Sequence, residues 1–158
     1  MRIRALAESD WPQVAAAYAD GIRTGNATFE TEPPTREAFE SSHSVTLVAE
    51  LDGRVAGWAS LSPVSSRCCY RGVAENSVYV AAWARGRGVG RALMDELVAR
   101  SEADGIWTLE AGVFPENEIS IRLHLACGFR VVGVRERLGE LDGVWRDVLL
   151  LERRSAAV

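Results

Sequence analysis

The sequence predicts a mixed α/β fold in which two helices cross a central sheet, and three observations carry that expectation. Residues 45–50, 54–61, 77–80, 107–113, 131–137 and 144–151 are short runs rich in β-branched and aromatic side chains, the composition of strands. Two of these runs, 77–80 and 107–113, are each followed by a helical pattern and then by another strand-like run, as βαβ crossovers are. Asp52-Gly53 and Asp142-Gly143 stand between pairs of such runs, where aspartate followed by glycine favours a tight hairpin. The resulting order is β-α-α-β-β-β-α-β-α-β-β.

Each element has its own local reason. Residues 2–6 form a short strand, and Ser9 or Asp10 is placed to cap a helix with Pro12 in its first turn and Trp11, Val14 and Tyr18 on one face. Residues 21–34 are irregular and end at Pro33-Pro34; Thr35 then caps a short helix to about residue 42. After the first hairpin, residues 62–73 read as a loop, followed by the strand 77–80 and a helix to about residue 103 that Gly105 stops. Pro115-Glu116-Asn117 leads into a helix to about residue 126, closed by Cys127-Gly128-Phe129, and the last two runs pair antiparallel.

Composition narrows the function classes. With 158 residues, 47% of them hydrophobic, the whole chain, 1–158, is expected to be a single domain with an adequate core. The net charge of −4 argues against a general nucleic-acid role. No apolar run approaches the length of roughly 18 residues that a membrane span needs, and the first residues lack a leader's apolar stretch. Three cysteines, Cys68, Cys69 and Cys127, form no Cys-x-x-Cys pair, which fits reduced thiols in the cytoplasm. Only His43 and His124 are available as imidazole ligands, far apart, so no metal is expected.

The most informative stretch runs from Glu75 to Arg91. A strand, Ser77-Val78-Tyr79-Val80, gives way to Arg85-Gly86-Arg87-Gly88-Val89-Gly90-Arg91, which opens into a helix with Val89, Leu93, Met94, Leu97 and Val98 on one face. Glycines at a helix start let backbone N–H groups approach an anion, and the helix dipole favours negative charge there. Arginines in the turn add charge-assisted contacts to the same oxygens. The arrangement suits a pyrophosphate. It is not a P-loop, since the chain has no lysine, and the third glycine of a dinucleotide fingerprint would fall on Arg91.

What remains, Arg85-x-x-Gly88-x-Gly90, resembles the Gln/Arg-x-x-Gly-x-Gly/Ala turn of the GNAT N-acetyltransferases, which hold the pyrophosphate of acetyl-CoA there. The resemblance runs from about residue 2 to 152 and implies the GNAT fold, a mixed sheet of about six or seven strands flanked by about four helices. Within that family the chain resembles the phosphinothricin, methionine sulfoximine and arsinothricin acetyltransferase branch. Four segments carry this: Thr28-Phe29-Glu30-Thr31-Glu32-Pro33; Ala74-Glu75-Asn76-Ser77-Val78-Tyr79-Val80; Asn117-x-x-Ser120-Ile121-Arg122-Leu123-His124 with Gly128-Phe129; and Gly143-x-Trp145-Arg146-Asp147. Those enzymes acetylate the α-amino group of small glutamate-like antimetabolites, which confers resistance, and are typically homodimers. The chain departs from that branch at Val64 and Ser65, where the family has bulkier or basic residues, which leaves the acceptor open.

The resemblance places a catalytic glutamate at Glu75, where burial would raise its pKa to that of a useful base; the structural alternative is a carboxylate held by Arg67 or Arg71. It places the oxyanion donor and the cofactor arm along the backbone of Val78, Tyr79 and Val80. Asn117, Ser120 and Arg122 are candidates for contact with the CoA arm, and Asn117 is equally a plausible helix cap. His124 occupies the region where many family members carry the acid that protonates the thiolate; the alternative is a packing histidine. Ser65, Arg67 and Tyr70 are candidates to bind the acceptor's anionic group, the alternative being a solvated loop arginine, and Phe29 and Thr31 are candidates to wall its pocket, within the chain or across a dimer interface. A peptide, protein or other amine acetyltransferase, and a non-catalytic acyl-CoA-binding regulator, are the competing functions.

Overall fold

A computed structural model describes residues 1–158. Its elements are β1 (Arg2–Ala5), α1 (Trp11–Ile22), α2 (Arg36–Ser42), β2 (Val45–Leu51), β3 (Arg54–Pro63), β4 (Val73–Val80), α3 (Val89–Ala103), β5 (Thr108–Val113), α4 (Glu118–Ala126), β6 (Arg130–Leu141) and β7 (Val144–Arg154). Seven strands form one sheet in the order β1-β2-β3-β4-β5-β7-β6. All neighbours are antiparallel except β4 and β5, which α3 links as a crossover. The expected element order is the observed one.

The two hairpins form where aspartate and glycine adopt the left-handed backbone their turns need: φ is 55° at Asp52 and 74° at Gly53, 50° at Asp142 and 78° at Gly143. Helix α3 lays Val89, Leu93, Met94 and Leu97 against one face of the sheet, where they join Ala59, Leu61, Leu109 and Leu151 in the larger core. The other face is covered by α1 and α2, whose Val14, Ala17 and Phe39 close over Val48, Val55 and Trp58. Tyr79 extends this second core, its ring 4.6 Å from those of both Tyr18 and Trp58, which themselves lie 5.4 Å apart.

Two local expectations change. Asp10 precedes α1 but does not cap it with its side chain; the carboxylate instead accepts from the Arg4 guanidinium at 2.6 and 2.9 Å and from the Ala7 N–H at 2.8 Å. That pairing pulls its pKa down. Strand β4 begins at Val73 rather than at Ser77, because Val73, Ala74 and Glu75 are paired on the β5 side, and Ala74 and Glu75 also pair with β3. Thr35 does cap α2, accepting from the Ala38 N–H at 3.2 Å.

Candidate active site

The sheet is divided at its centre. β4 stays paired with β3 from Ala74 to Val80, and β5 stays paired with β7 from Thr108 to Val113, but β4 and β5 pair with each other only at Val73, Ala74 and Glu75. Beyond Glu75 the two strands part, so the β5-facing edge of residues 76–80 has no strand partner. A cavity of about 1200 Å³ occupies this fork and spreads to both faces of the sheet.

At one end of the cavity lies the glycine turn. Gly86 and Gly88 have φ of 76° and 79°, and a Cβ on either would meet no protein atom within 4 Å. The space in front of the turn is therefore open to a ligand, and the first N–H groups of α3 have no helical acceptors. Gly90 serves a different purpose: a Cβ there would come 3.2 Å from Leu123 of α4, so its bareness allows α3 and α4 to approach. Gly86, Gly88, Val89, Gly90, Arg85 and Arg91 all line the cavity, as do Val78, Tyr79 and Val80 on β4. Arg87 does not; its guanidinium turns to Asp52 of the first hairpin, 3.1 Å away.

Helix α4 forms the opposite wall. Asn117 caps it, accepting from the Ser120 N–H at 3.2 Å, while its amide donates to the Asn26 carbonyl at 3.1 Å. Asn117 and Ser120 line the cavity with Arg122 and His124. His124 is buried, 2% exposed, and both ring nitrogens are engaged. Nδ1 lies 2.7 Å from the Ser120 carbonyl and so carries the proton; Nε2 accepts from the Asn76 amide at 3.0 Å. Burial holds the imidazole pKa below its ordinary value, consistent with a neutral ring. No N–H of His124 is free to serve a thiolate in this arrangement. Asn76 Oδ1 is buried with no partner, an acceptor on the cavity wall suited to an amide N–H of a bound arm.

Glu75 stands where the strands part. Its direct neighbour across the parallel pair is Glu110, a residue with no distinguishing motif in the sequence. Glu75 is exposed to the open cavity, yet the surrounding protein still desolvates it. Desolvation first, and the Glu110 charge second, push its pKa above the usual carboxylate value, while the charge of Arg135 opposes them. A raised pKa and a position at the fork suit a general base.

The cavity is also walled by Phe29, Phe114, Leu138, Val148 and Leu150. Phe29 packs edge-on against Phe114 at 4.9 Å and lies over Gly139, where a Cβ would approach its ring to 2.7 Å. The loop that carries Phe29 is fastened by Arg146, which donates to the Gly25 carbonyl at 3.0 Å and Asn26 Oδ1 at 2.8 Å, pairs with Glu116 at 3.1 Å, and stacks on Phe114 at 4.1 Å. Four expected acceptor residues lie elsewhere. Ser65, Arg67 and Tyr70 are outside the cavity; Arg67 is exposed and rests over the Tyr70 ring at 5.6 Å. Thr31 lines a separate depression of about 220 Å³ with Leu141 and Asp142.

Residues 3–129 match the sequence profile of the Acetyltransferase (GNAT) family. The chain belongs to this family. Among the relatives of this GNAT acetyltransferase is the phosphinothricin N-acetyltransferase of Alcaligenes faecalis, 38% identical over 96% of this chain and 81% of that protein. A solved structure named as a ribosomal-protein-alanine N-acetyltransferase from Brucella melitensis superposes with a TM-score of 0.92 at 32% identity, covering 98% of this chain and all of that one. A phosphinothricin acetyltransferase from Sinorhizobium meliloti, solved in complex with acetyl-CoA, superposes with a TM-score of 0.87 at 31% identity, covering 97% of this chain and 87% of that one. The overall fold is thus shared with a relative of the same family solved with acetyl-CoA bound.

Proposed function

We propose that this enzyme moves the acetyl group of acetyl-CoA to the α-amino group of a small amino-acid-like acceptor carrying a second anionic or strongly polar tetrahedral group, such as phosphinothricin, methionine sulfoximine or arsinothricin. The observation that carries the reading is the fork beyond Glu75, which joins an open anion turn on one side to a recess walled by Phe29 and Phe114 on the other. The relative that is 38% identical, named for phosphinothricin, supports the acceptor class.

The residues divide the work. The turn 85–91, with the start of α3, is placed to hold the pyrophosphate through backbone N–H groups; Asn76 Oδ1 and the free edge of β4 are placed to accept and donate along the arm. Acetyl-CoA supplies a thioester, whose carbonyl carbon the amine attacks with the thiolate leaving. Glu75 takes the proton that an α-ammonium, of pKa about 7.7–8, must lose before it can attack. Glu110 keeps Glu75 basic and adds negative charge where the ammonium docks. His124, neutral and bonded at both nitrogens, orients Asn76 in this scheme; acid catalysis would require a second proton on a buried ring, which burial disfavours.

A screen of CoA-thiol release over free amino acids, the three antimetabolites, peptides and polyamines tests the assignment. Turnover of one or more antimetabolites, with protection of a sensitive host from them, is the expected result. Turnover only of peptides would favour a protein N-terminus as acceptor, the reading that the Brucella neighbour's name supports. A homodimer completes the proposal: β6 is an edge strand whose Val131, Val132 and Val134 are exposed, together with Val144 and Trp145 of β7. An uncovered apolar edge of this kind favours association. Light scattering should give twice the chain mass, and Val134→Lys should reduce it to one.

A further inference from the structure

The expected anion-binding arginine, Arg67, does not face the cavity, but another arginine does. Four arginines line the cavity: Arg85, Arg91, Arg122 and Arg135. Three are already engaged on the cofactor side. Arg85 donates to the Asp20 carbonyl at 3.1 Å, Arg91 pairs with Asp95 at 2.8 Å, and Arg122 pairs with Glu118 at 3.1 Å. Arg135, on β6, has neither a hydrogen bond nor an ion pair within the protein, and Glu75 feels its charge. It is the unpaired guanidinium among the four.

Its position comes from a bulge. β6 and β7 pair Arg135 with Val148 and Gly139 with Arg146, so three residues of β6, Glu136, Arg137 and Leu138, lie opposite the single Asp147. Arg137 takes the extra turn, with φ of 50°, and its N–H is held by the Asp147 carboxylate at 2.8 Å. Bulges of this type re-aim side chains, and here both flanking residues, Arg135 and Leu138, border the cavity. Just beyond it, Gly139 provides the bare backbone on which Phe29 rests.

We propose that Arg135 binds an oxyanion group of the acceptor and sets the preference for acceptors that carry one. This rests on the acetyl-transfer reading of the cleft. Glu75 and Glu110 attract the acceptor's ammonium, and the guanidinium presents a planar fork to a carboxylate, phosphinate or similar group. A dipolar acceptor is thereby aligned in one sense, with nitrogen towards the fork and oxyanion towards β6. The oxyanion can be the α-carboxylate or the group at the end of the side chain; both have the same chemistry for the guanidinium.

The test compares wild type with Arg135→Gln and Arg135→Lys on glutamate, its α-amide, glutamine, phosphinothricin and methionine sulfone, with acetyl-CoA affinity measured in parallel. Rates are taken on the pH plateau of each variant, because loss of Arg135 also raises the pKa of Glu75. Arg135→Gln should raise KM for the anionic acceptors at least tenfold with kcat and acetyl-CoA affinity nearly unchanged, and Arg135→Lys should restore only part of it. If the effect disappears with the α-amide, the α-carboxylate is the partner; if it disappears with glutamine, the side-chain oxyanion is. Arg130→Gln, on the same strand as Arg135, removes a surface pair with Glu152 of β7 and should leave KM unaltered. An unchanged KM in Arg135→Gln, or an equal rise for charged and uncharged acceptors, overturns the assignment of Arg135. Turnover by wild type of neutral or cationic amines alone overturns it too, while leaving acetyl transfer intact. Failure to acetylate any amine, in protein that binds acetyl-CoA, overturns the acetyl-transfer reading itself.

Discussion

Gly88→Ala separates what the glycine turn does for folding from what it does for binding. Gly88 sits at φ of 79°, and an added Cβ would meet no protein atom within 4 Å. The substitution therefore creates no internal clash; its folding penalty is that of placing an L-residue in the left-handed region, about 1–2 kcal/mol. For a chain of this size that corresponds to a fall in Tm of about 2–8 °C. Gly53 provides a matched control, with φ of 74°, the same open space, and a place in the first hairpin outside the cavity. Gly53→Ala should lose a similar amount of stability. Only Gly88→Ala should also weaken acetyl-CoA, because its methyl group occupies the space through which phosphate oxygens approach the backbone. A tenfold loss, about 1.4 kcal/mol, is the minimum expected by calorimetry. Equal affinity in wild type, Gly53→Ala and folded Gly88→Ala would refute the anion-turn argument.

Four further outcomes follow from the structure. Glu75→Gln should lower kcat/KM for the amine roughly 100-fold and leave acetyl-CoA affinity unchanged. In the wild type kcat/KM should rise with pH as Glu75 loses its proton; Glu110→Gln, by removing a like charge, should move that limb to lower pH, and an unmoved limb would put the base elsewhere. Arg146→Ala removes charge-assisted bonds to the loop carrying Phe29, so it should cost about 1.5–3 kcal/mol in thermal or urea denaturation and raise the acceptor's KM; a change under about 0.5 kcal/mol would make the fastening incidental. His124 and His43 have folded pKa values below the ordinary 6.5, so the unfolded chain binds protons that the native one refuses. Stability should therefore fall as pH drops below about 6.5, and a His124→Gln variant that loses stability as steeply would contradict the neutral, buried ring.

The features visible in the sequence were those encoded locally. Gly86 and Gly88 marked a turn because only glycine takes positive φ without strain, and Asp52-Gly53 and Asp142-Gly143 marked hairpins for a related reason. Glu75 was visible through the strand and turn that follow it. Glu110 was not: its apposition to Glu75 depends on parallel register between strands separated by a whole crossover helix, which no short stretch encodes. Arg135 was hidden similarly, since a simple period-two strand gives no sign of the three-residue bulge that turns β6. Arg67 and Arg135 are equally plausible as residue types; only the path of the backbone distinguishes them. Arg87 looked like a phosphate ligand until the hairpin brought Asp52 beside it.

The fork in the sheet also has a mechanical consequence. Residues 1–105 build β1–β4 with the first three helices, residues 106–158 build the rest, and the two blocks share only three paired positions of sheet. A ligand that bridges the free edge of β4 and the wall beyond it acts as mortar in this seam. At a hundred times its dissociation constant it would add about 2.7 kcal/mol to the folded state. Much of that gain should appear as slower amide exchange along residues 76–80 and 111–113, on the two sides of the seam. Substrate supply and the lifetime of the folded chain are then coupled, and starvation for the thioester leaves the molecule weakest along its own midline.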